Sequence, residues 1–394
     1  MNLLYTLTSY PPVVGGAQLL QHQIAVHLKD RHRIQVVTHW DQNRSDWLLG
    51  TSLLAPNKAR DYEVDGVSVH RLGLGWKERL SLLPILPIYY PLMDIAVPLL
   101  SRHLERSLST YAAQADLVHH VRIGREPLAY ASRQAARRHD IPFVLTPVHH
   151  PRWNGWRYRV YLELYRQADA VLALTEAERE TLASFGVREE RIEVIGMGPV
   201  VAVEADPQRF LRKHSLDGPV VLFLAQHYPY KGYRELLQAA PLVWKRVADA
   251  YFVFIGPPVG RSESSFRSPD RRIRRLGAVD LQEKTDALAA CDLLCVPSTQ
   301  ESFGGVYLEA WSFAKPVIGC NIPAVAEVIT DGEDGLLVTQ EAARIADRIL
   351  DLLLDPSRAQ AMGRAGRRKL EARYTWENIS RRTELAYLKA LGTR

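Results

Sequence analysis

The chain has 394 residues, 47% of them apolar and 24% charged, a balance that excludes a disordered or low-complexity protein and supplies core for about two domains. Its 50 Lys and Arg against 44 Asp and Glu give a net charge of +6, but the excess is diffuse: residues 1–200 hold 23 basic against 20 acidic, leaving 27 against 24 beyond them. Such a spread argues against a nucleic-acid stripe, and suits a phosphate-bearing ligand, an acidic membrane surface or no anionic partner at all.

The opening MNLLYTLTSYPP has no basic stretch before its apolar residues and soon turns polar, so it reads as a first strand and not as a signal peptide. Short β-rich runs then alternate with longer helical patterns. In the first half the expected strands are Leu3–Thr8, Ile34–His39, Val67–Leu72, Leu117–Val121, Phe143–Val148, Val171–Thr175 and Ile192–Ile195. In the second they are Val220–Ala225, Tyr251–Ile255, Leu293–Pro297, Val317–Cys320 and Leu336–Val338. That rhythm predicts right-handed βαβ units, hence an α/β protein of two Rossmann-like doubly wound domains. The join is expected between Gly196 and Pro219, where GMGPVV and DGP punctuate an aperiodic stretch. Open sheets bind ligands at the carboxyl ends of their strands, so a cleft between two such domains is the expected site.

The apolar run Leu80–Leu100 is broken by Pro84, Pro87, Pro91 and Pro98 and contains Asp94, which a spanning helix would tolerate poorly. It reads either as a buried, proline-kinked connection or as a membrane-contacting, lipid-acceptor surface. Cys291, Cys295 and Cys320 have no metal spacing, and imply buried thiols in a reducing, cytoplasmic compartment.

The densest local signal is DLLCVPSTQESFGGVYLEAWSFAKPVIG, which reads strand, loop, helix, strand. Gly304 and Gly305 open the helix, so its unpaired N–H groups can approach a diphosphate without an intervening side chain. Glu309 lies about one turn on, and a carboxylate accepts both hydroxyl protons of a ribose. Glu301, ahead of the helix, is placed to accept from sugar hydroxyls or to balance charge at the reacting carbon.

In this motif the chain resembles the retaining, two-domain glycosyltransferases of family 4 (group 1, GT-B architecture), in which Glu-x7-Glu follows a Pro-Ser strand end and encloses Phe-Gly; here the stretch is ESFGGVYLE. SYPPVVGGAQLL is similar to the family's first strand-to-helix loop, with Gly15 and Gly16 at the positions whose amides approach the donor phosphates. GAVDLQEKTDALAACDLLCVPS, which includes Val279, resembles its base-binding approach, and ADAVLALTEAERETLASFGV, VAEVITDGEDGLLV and YTWENISRR extend the likeness over nearly the whole chain. The resemblance implies an N-terminal acceptor-binding domain over 1–200, a nucleotide-sugar domain over 201–375, and a last helix near 376–394 that packs back on the first domain. It further implies that the two domains face each other across the cleft.

Two positions depart from the family pattern. Gly-Arg-x4-Lys-Gly usually follows the second domain's first strand and clamps the diphosphate, whereas FLAQHYPYKG keeps Lys231 but places Gln226 at the arginine position. His227 or another basic residue substitutes, Gln226 donates a neutral hydrogen bond, or the protein is a weakened or inactive relative. The family's Asp-x-x-His-x-His reads DLVHHV here, with Val121 at the later histidine position. His119 and His120 are the remaining catalytic candidates there, and strand alternation lets only one of them face a cleft. His149 and His150, after another strand, are acceptor-side candidates.

No Asp-x-Asp occurs, so the expectation is a metal-independent enzyme without a cofactor. The donor would be a UDP- or GDP-sugar, and the acceptor a sugar, lipid-linked or other hydroxyl, with a sugar or sugar-phosphate synthase acting on a small soluble acceptor as the alternative enzyme. Glu301, Lys231, His119 and His120 would do the chemistry. Gly15, Gly16, Gln226, Lys231, Val279, Glu301, Ser302, Phe303, Gly304, Gly305 and Glu309 would hold the donor. No nucleic-acid partner is expected, the oligomeric state is open, and the place of action is the cytoplasm, with peripheral contact at the inner membrane face as an option.

Overall fold

The structure, a computed structural model, describes residues 1–13, 15–42, 48–122, 127–150, 153, 155–266 and 270–392. Two compact units divide the chain: Met1–Gly196 with Trp376–Arg394, and Met197–Thr375.

The first unit begins β1 (Asn2–Thr6), α1 (Gly16–Leu28), β2 (Arg33–Thr38), α2 (Leu48–Thr51), β3 (Arg60–Val64), β4 (Val67–Arg71), α3 (Trp76–Leu82) and α4 (Met93–Ala112). It continues β5 (Leu117–Val121), α5 (Leu128–Arg138), β6 (Phe143–Thr146), α6 (Arg159–Gln167), β7 (Ala170–Ala173), α7 (Glu176–Ser184) and β8 (Ile192–Val194). The second unit runs α8 (Pro207–His214), β9 (Val220–Leu224), α9 (Tyr233–Trp244), β10 (Tyr251–Ile255), β11 (Ile273–Gly277), α10 (Leu281–Ala290), β12 (Leu293–Val296) and α11 (Gly305–Trp311). It closes with β13 (Val317–Cys320), α12 (Pro323–Val328), β14 (Leu336–Val338), α13 (Ala342–Leu353) and α14 (Pro356–Arg373), after which α15 (Trp376–Gly392) returns to the first unit.

The first sheet has the order β3-β4-β2-β1-β5-β6-β7-β8 and the second β11-β10-β9-β12-β13-β14. All pairings are parallel except the β3–β4 hairpin, whose Asp65-Gly66 turn has positive φ at both residues. Chain order reverses between β1 and β5 in one sheet and between β9 and β12 in the other, the points where doubly wound sheets open a crevice at their carboxyl ends. The expected α/β doubly wound fold is therefore present in both halves. Central strands are buried along their whole length, as in LVHHV of β5 and VVLFL of β9, because helices cover both faces.

Two strands were not foreseen. β3 is an exposed edge with the polar sequence RDYEV, and β11, IRRLG, is only half-buried, so neither carries the apolar run that marks an inner strand.

The Leu80–Leu100 run becomes the end of α3, a turn-rich connection, and the start of α4, whose Met93, Ala96, Val97 and Leu100 are buried in the first unit's core. Its other side is open: Trp76, Leu80, Leu83, Leu92, Ile95 and, from a neighbouring turn, Trp156 are all exposed. Among the described residues no helix is long and apolar enough to cross a membrane. The three cysteines are buried and unpaired, and burial pushes the Cys291 and Cys320 thiols up to about 12.

Candidate active site

The second sheet's switch point gathers the densest set of marked residues. After β9 the chain makes a short 3-10 turn, Pro229–Lys231, closed by Gly232 at φ 81°. A side chain there would meet the Pro297 carbonyl at 2.5 Å, so glycine is what lets the loop after β9 press on the loop after β12. Gln340 Nε2 donates to the Tyr230 and Pro297 carbonyls (3.0 and 2.7 Å), and Thr299 N–H donates to Tyr230, stapling the two loops together. Fixed in this way, Lys231 Nζ donates to Glu301 Oε1 at 2.6 Å. The two side chains are only 18% and 11% exposed, so water screens the pair weakly.

Beyond Glu301 the half-buried Ser302 leads to the buried Phe303, whose ring meets Tyr374 edge-on, and then to Gly304 at φ 92°. A Cβ on Gly304 would fall 2.5 Å from the Tyr307 ring, and Tyr307 is itself fixed by its hydroxyl donating to the Val296 carbonyl. The left-handed turn is thus set by the core behind it. Gly305 begins α11, which is only seven residues long; its dipole is correspondingly small, and its first-turn N–H groups are the more local means of meeting an anion.

One turn on, Glu309 is buried and receives Lys284 Nζ at 2.8 Å. Burial pushes its carboxyl above the ordinary carboxylate range; the Lys284 charge and hydrogen bond oppose that push and favour the ionised form. Lys284 sits in the first turn of α10, which Asp280 caps by accepting the Glu283 N–H at 2.7 Å. Val279 is half-buried just before that cap.

Gln226 is exposed at the end of β9. Its neighbour His227 is not the substitute cation suggested by the sequence. It is fully buried, with ring centroids of Phe266, Tyr233 and Phe223 within 5.1–5.9 Å, and neither ring nitrogen has a hydrogen-bond partner among the described residues. Burial foremost, with the charge of Arg275, pulls it down to about 4, so it is neutral at pH 7.

In the first unit, Gly15 precedes α1 in extended conformation and Gly16 opens it. Nothing lies within 4 Å of a side chain built on Gly16, so the protein's own packing does not demand glycine there. His119 and His120 point to opposite faces of β5. His119 Nδ1 bonds the Tyr387 hydroxyl of α15 at 2.7 Å and its Nε2 bonds Thr146 Oγ1 at 2.8 Å; Tyr387 also bonds Tyr5. His120 Nδ1 bonds Thr6 Oγ1 at 2.9 Å, next to Ser132 of α5, and its Nε2 bonds the Arg122 carbonyl. Both rings are fully buried, and burial drives them down to about 3 and about 4. His149 is buried too: its N–H donates to Glu178 and its ring bonds Tyr165, while His150 stays half-buried beside Trp153.

Two residues went unmarked in the sequence. Lys284 meets Glu309 across 25 positions, a spacing that signals nothing. Arg122, at φ 65° just past β5, holds its guanidinium 5.9 Å from the Trp153 ring; a basic residue at the carboxyl end of a switch-point strand was the signal that could have found it.

Comparison with known proteins assigns each half separately. Residues 15–198 match the "Glycosyl transferase 4-like domain" and residues 218–355 the "Glycosyl transferases group 1" family. The chain is 30% identical over 175 residues to a GDP-mannose-dependent monoacylated alpha-(1-6)-phosphatidylinositol monomannoside mannosyltransferase of Corynebacterium glutamicum, covering 42% of this chain and 45% of that protein. It is 28% identical over 250 residues to a D-inositol 3-phosphate glycosyltransferase of Kribbella flavida, covering 59% of each. The match thus spans about half the length of these relatives. Among solved structures, Anabaena HepE in complex with UDP-glucose superposes with a TM-score of 0.76 at 19% identity, over 98% of this chain and 99% of that one. From the two matched domains and the shared two-unit architecture, the chain belongs to the group 1, family 4 glycosyltransferases and has the GT-B fold.

Proposed function

We propose that this protein is a retaining glycosyltransferase that moves a sugar from a UDP- or GDP-sugar to an acceptor hydroxyl in the synthesis of a polysaccharide, glycolipid or other glycoconjugate. The observation that carries this is the Lys231–Glu301 pair at the second sheet's switch point, with Gly304, Gly305 and Glu309 following on one short helix. Lys231 and the amides of Gly304 and Gly305 meet the diphosphate; negative charge grows there as the glycosidic bond breaks, so fixed donors act where they matter most. Glu301, with Ser302 and Phe303, orients the sugar, Glu309 takes the ribose, and Val279 flanks the base. No metal is required in this scheme, so turnover should survive chelation by EDTA. Residues 201–375 hold the donor; residues 1–200 with the last helix hold the acceptor.

His119 and His120 bond residues that tie α15 and α5 to the sheet, and His149 bonds within the core, so His150 and Arg122 are our candidates for the acceptor side. The relatives' names carry GDP-mannose and inositol phosphate, and the structural neighbour carries UDP-glucose. Thermal stabilisation by UDP against GDP decides the base, because a ligand bound only by the folded state raises the midpoint. Release of UDP or GDP from a panel of nucleotide sugars tests the activity. Gln226 favours one second reading, a nucleotide-sugar-binding relative without turnover; tight binding with no release toward any acceptor would establish it.

The exposed Trp76, Leu80, Leu83, Leu92, Ile95 and Trp156, with Lys77 and Arg157 among them, fit the surface of an anionic bilayer and a lipid-linked acceptor. Co-sedimentation with phosphatidylglycerol vesicles that persists in Trp76→Ser/Leu80→Ser would rule that surface out.

A further inference from the structure

Three consecutive residues of α10 anchor the segment with which the second unit begins. Lys284 Nζ donates to the Val200 carbonyl at 2.6 Å, Thr285 Oγ1 accepts the Ala202 N–H at 2.8 Å, and Asp286 Oδ1 accepts the Asp206 N–H at 2.8 Å. Lys284 alone of the three also reaches the site, donating to Glu309 Oε1 at 2.8 Å. Lys284 thus ties the Glu309 carboxylate to the Val200 carbonyl through one ammonium group. The two side chains are 17% and 10% exposed.

An ionised carboxylate offers about four lone-pair positions on two oxygens. In Glu309 the lysine occupies part of that capacity and restrains the group, and the remainder can accept two hydroxyl protons. A carboxyl free to rotate, or neutralised by its own burial, could not hold both hydroxyls at once.

We propose that Lys284 is a positioning residue for nucleotide recognition: by clamping Glu309 against the Val200 backbone it makes the site selective for a ribose with both hydroxyls. This rests on the reading of Glu309 as the ribose carboxylate. Lys284 touches no substrate. Its function is expressed through Glu309, and Thr285 anchors the same segment without touching the carboxylate, which separates positioning from mere support.

The test is calorimetric titration of the full chain with UDP and GDP and with their 2′,3′-dideoxy counterparts. The unmodified protein should prefer the ribonucleotide, and Lys284→Met should shrink that preference on the order of tenfold. Thr285→Val should leave the preference in place even where it lowers the melting midpoint, and Lys284→Arg should restore part of it. Should Lys284→Met fail to fold, Lys284→Met/Glu309→Gln removes both buried charges together and should bind the nucleotide as Glu309→Gln alone does. Lys284→Met with full preference, while Glu309→Gln has lost it, overturns the proposal and leaves the ribose reading standing; so does a further loss of affinity in the double variant. A Glu309→Gln protein that keeps its preference overturns the ribose reading and the proposal with it.

Discussion

Apart from the outer strands β3 and β8 of the first, the two sheets share one strand order but use the polar residues at their switch points in opposite ways. In the first unit the marked histidines lie within β5, at His119 and His120, or just past β6, at His149, and packing absorbs them: both rings of the β5 pair are fully buried with each nitrogen bonded, and His149 is held by Glu178 and Tyr165. In the second unit Lys231 and Glu301 lie beyond the strand ends, on loops stapled by Gln340, and they meet each other at 2.6 Å. A residue inside a doubly covered strand must satisfy its polar atoms within the core, whereas one past the strand end is held by the scaffold yet remains near the open edge.

The largest expected effect falls on the second unit. Lys231→Ala should lower turnover, read as UDP or GDP release per folded protein, on the order of 10²–10³-fold, the usual cost of losing a fixed donor to developing charge. It also leaves Glu301 shielded from water without its partner, so the melting midpoint should fall. Lys231→Met/Glu301→Gln should recover much of the midpoint without recovering turnover. Undiminished turnover in Lys231→Ala would erase the contrast between the units.

The first unit should answer in stability instead. Tyr387→Phe removes the hydroxyl that joins Tyr5 to His119 and should cost about 1–3 kcal/mol, the penalty for stranding buried polar groups. Turnover of the folded fraction should not change, and a loss at full folding would mean that His119 takes part in the chemistry. Acid should sharpen the same difference. Burial holds His39 and His119 near 3 and His103 and His120 near 4, all in the first unit, against His227 near 4 in the second. These folded values lie below the unfolded value of about 6.5, so the stability they allow is complete above pH 6.5 and drains as pH falls toward 4 and then 3. Each group contributes up to ~1.4 kcal/mol per pH unit across that window. Hydrogen exchange at pH 7 and pH 5 should therefore show the strands of the first unit losing protection sooner; equal loss in both units would contradict this.

How far the sequence could be read follows from the same physics. Inner strands were legible because burial on both faces demands an unbroken apolar run, and the bounds foreseen for β5, β10, β13 and β14 are those observed. β3 and β11 were not, because an edge or half-buried strand need not carry that run. The loop between β12 and α11 was legible as a motif: Glu301, Gly304, Gly305 and Glu309 are close in sequence, and glycine at φ 92° leaves its mark in the residue type. Lys284 was not, because a partner on another helix has no local signature. For His227 the sequence misled, because a histidine beside a loop gives no sign that Phe223, Tyr233 and Phe266 enclose it.

The smallest effect, and the finest test of the proposed donor site, concerns Gln226. It stands at the end of β9 where the family carries an arginine; it is exposed, and His227 beside it is neutral, so Lys231 lacks the usual second cation from this loop. Gln226→Arg has room to be accommodated. If the glutamine only fills the place, the new guanidinium should raise turnover a few-fold, well short of the 10²-fold cost of deleting a fixed donor, because an exposed charge is screened by water and salt. A rise in kcat at saturating donor would mean that the arginine stabilises the departing diphosphate, whereas a lower KM alone would mean that it binds donor and transition state equally. The gain should shrink between 50 mM and 500 mM salt, as the screening length falls to a few ångströms. A tenfold fall in kcat would show instead that the Gln226 amide makes a contact of its own with the donor, one that a planar cation cannot reproduce.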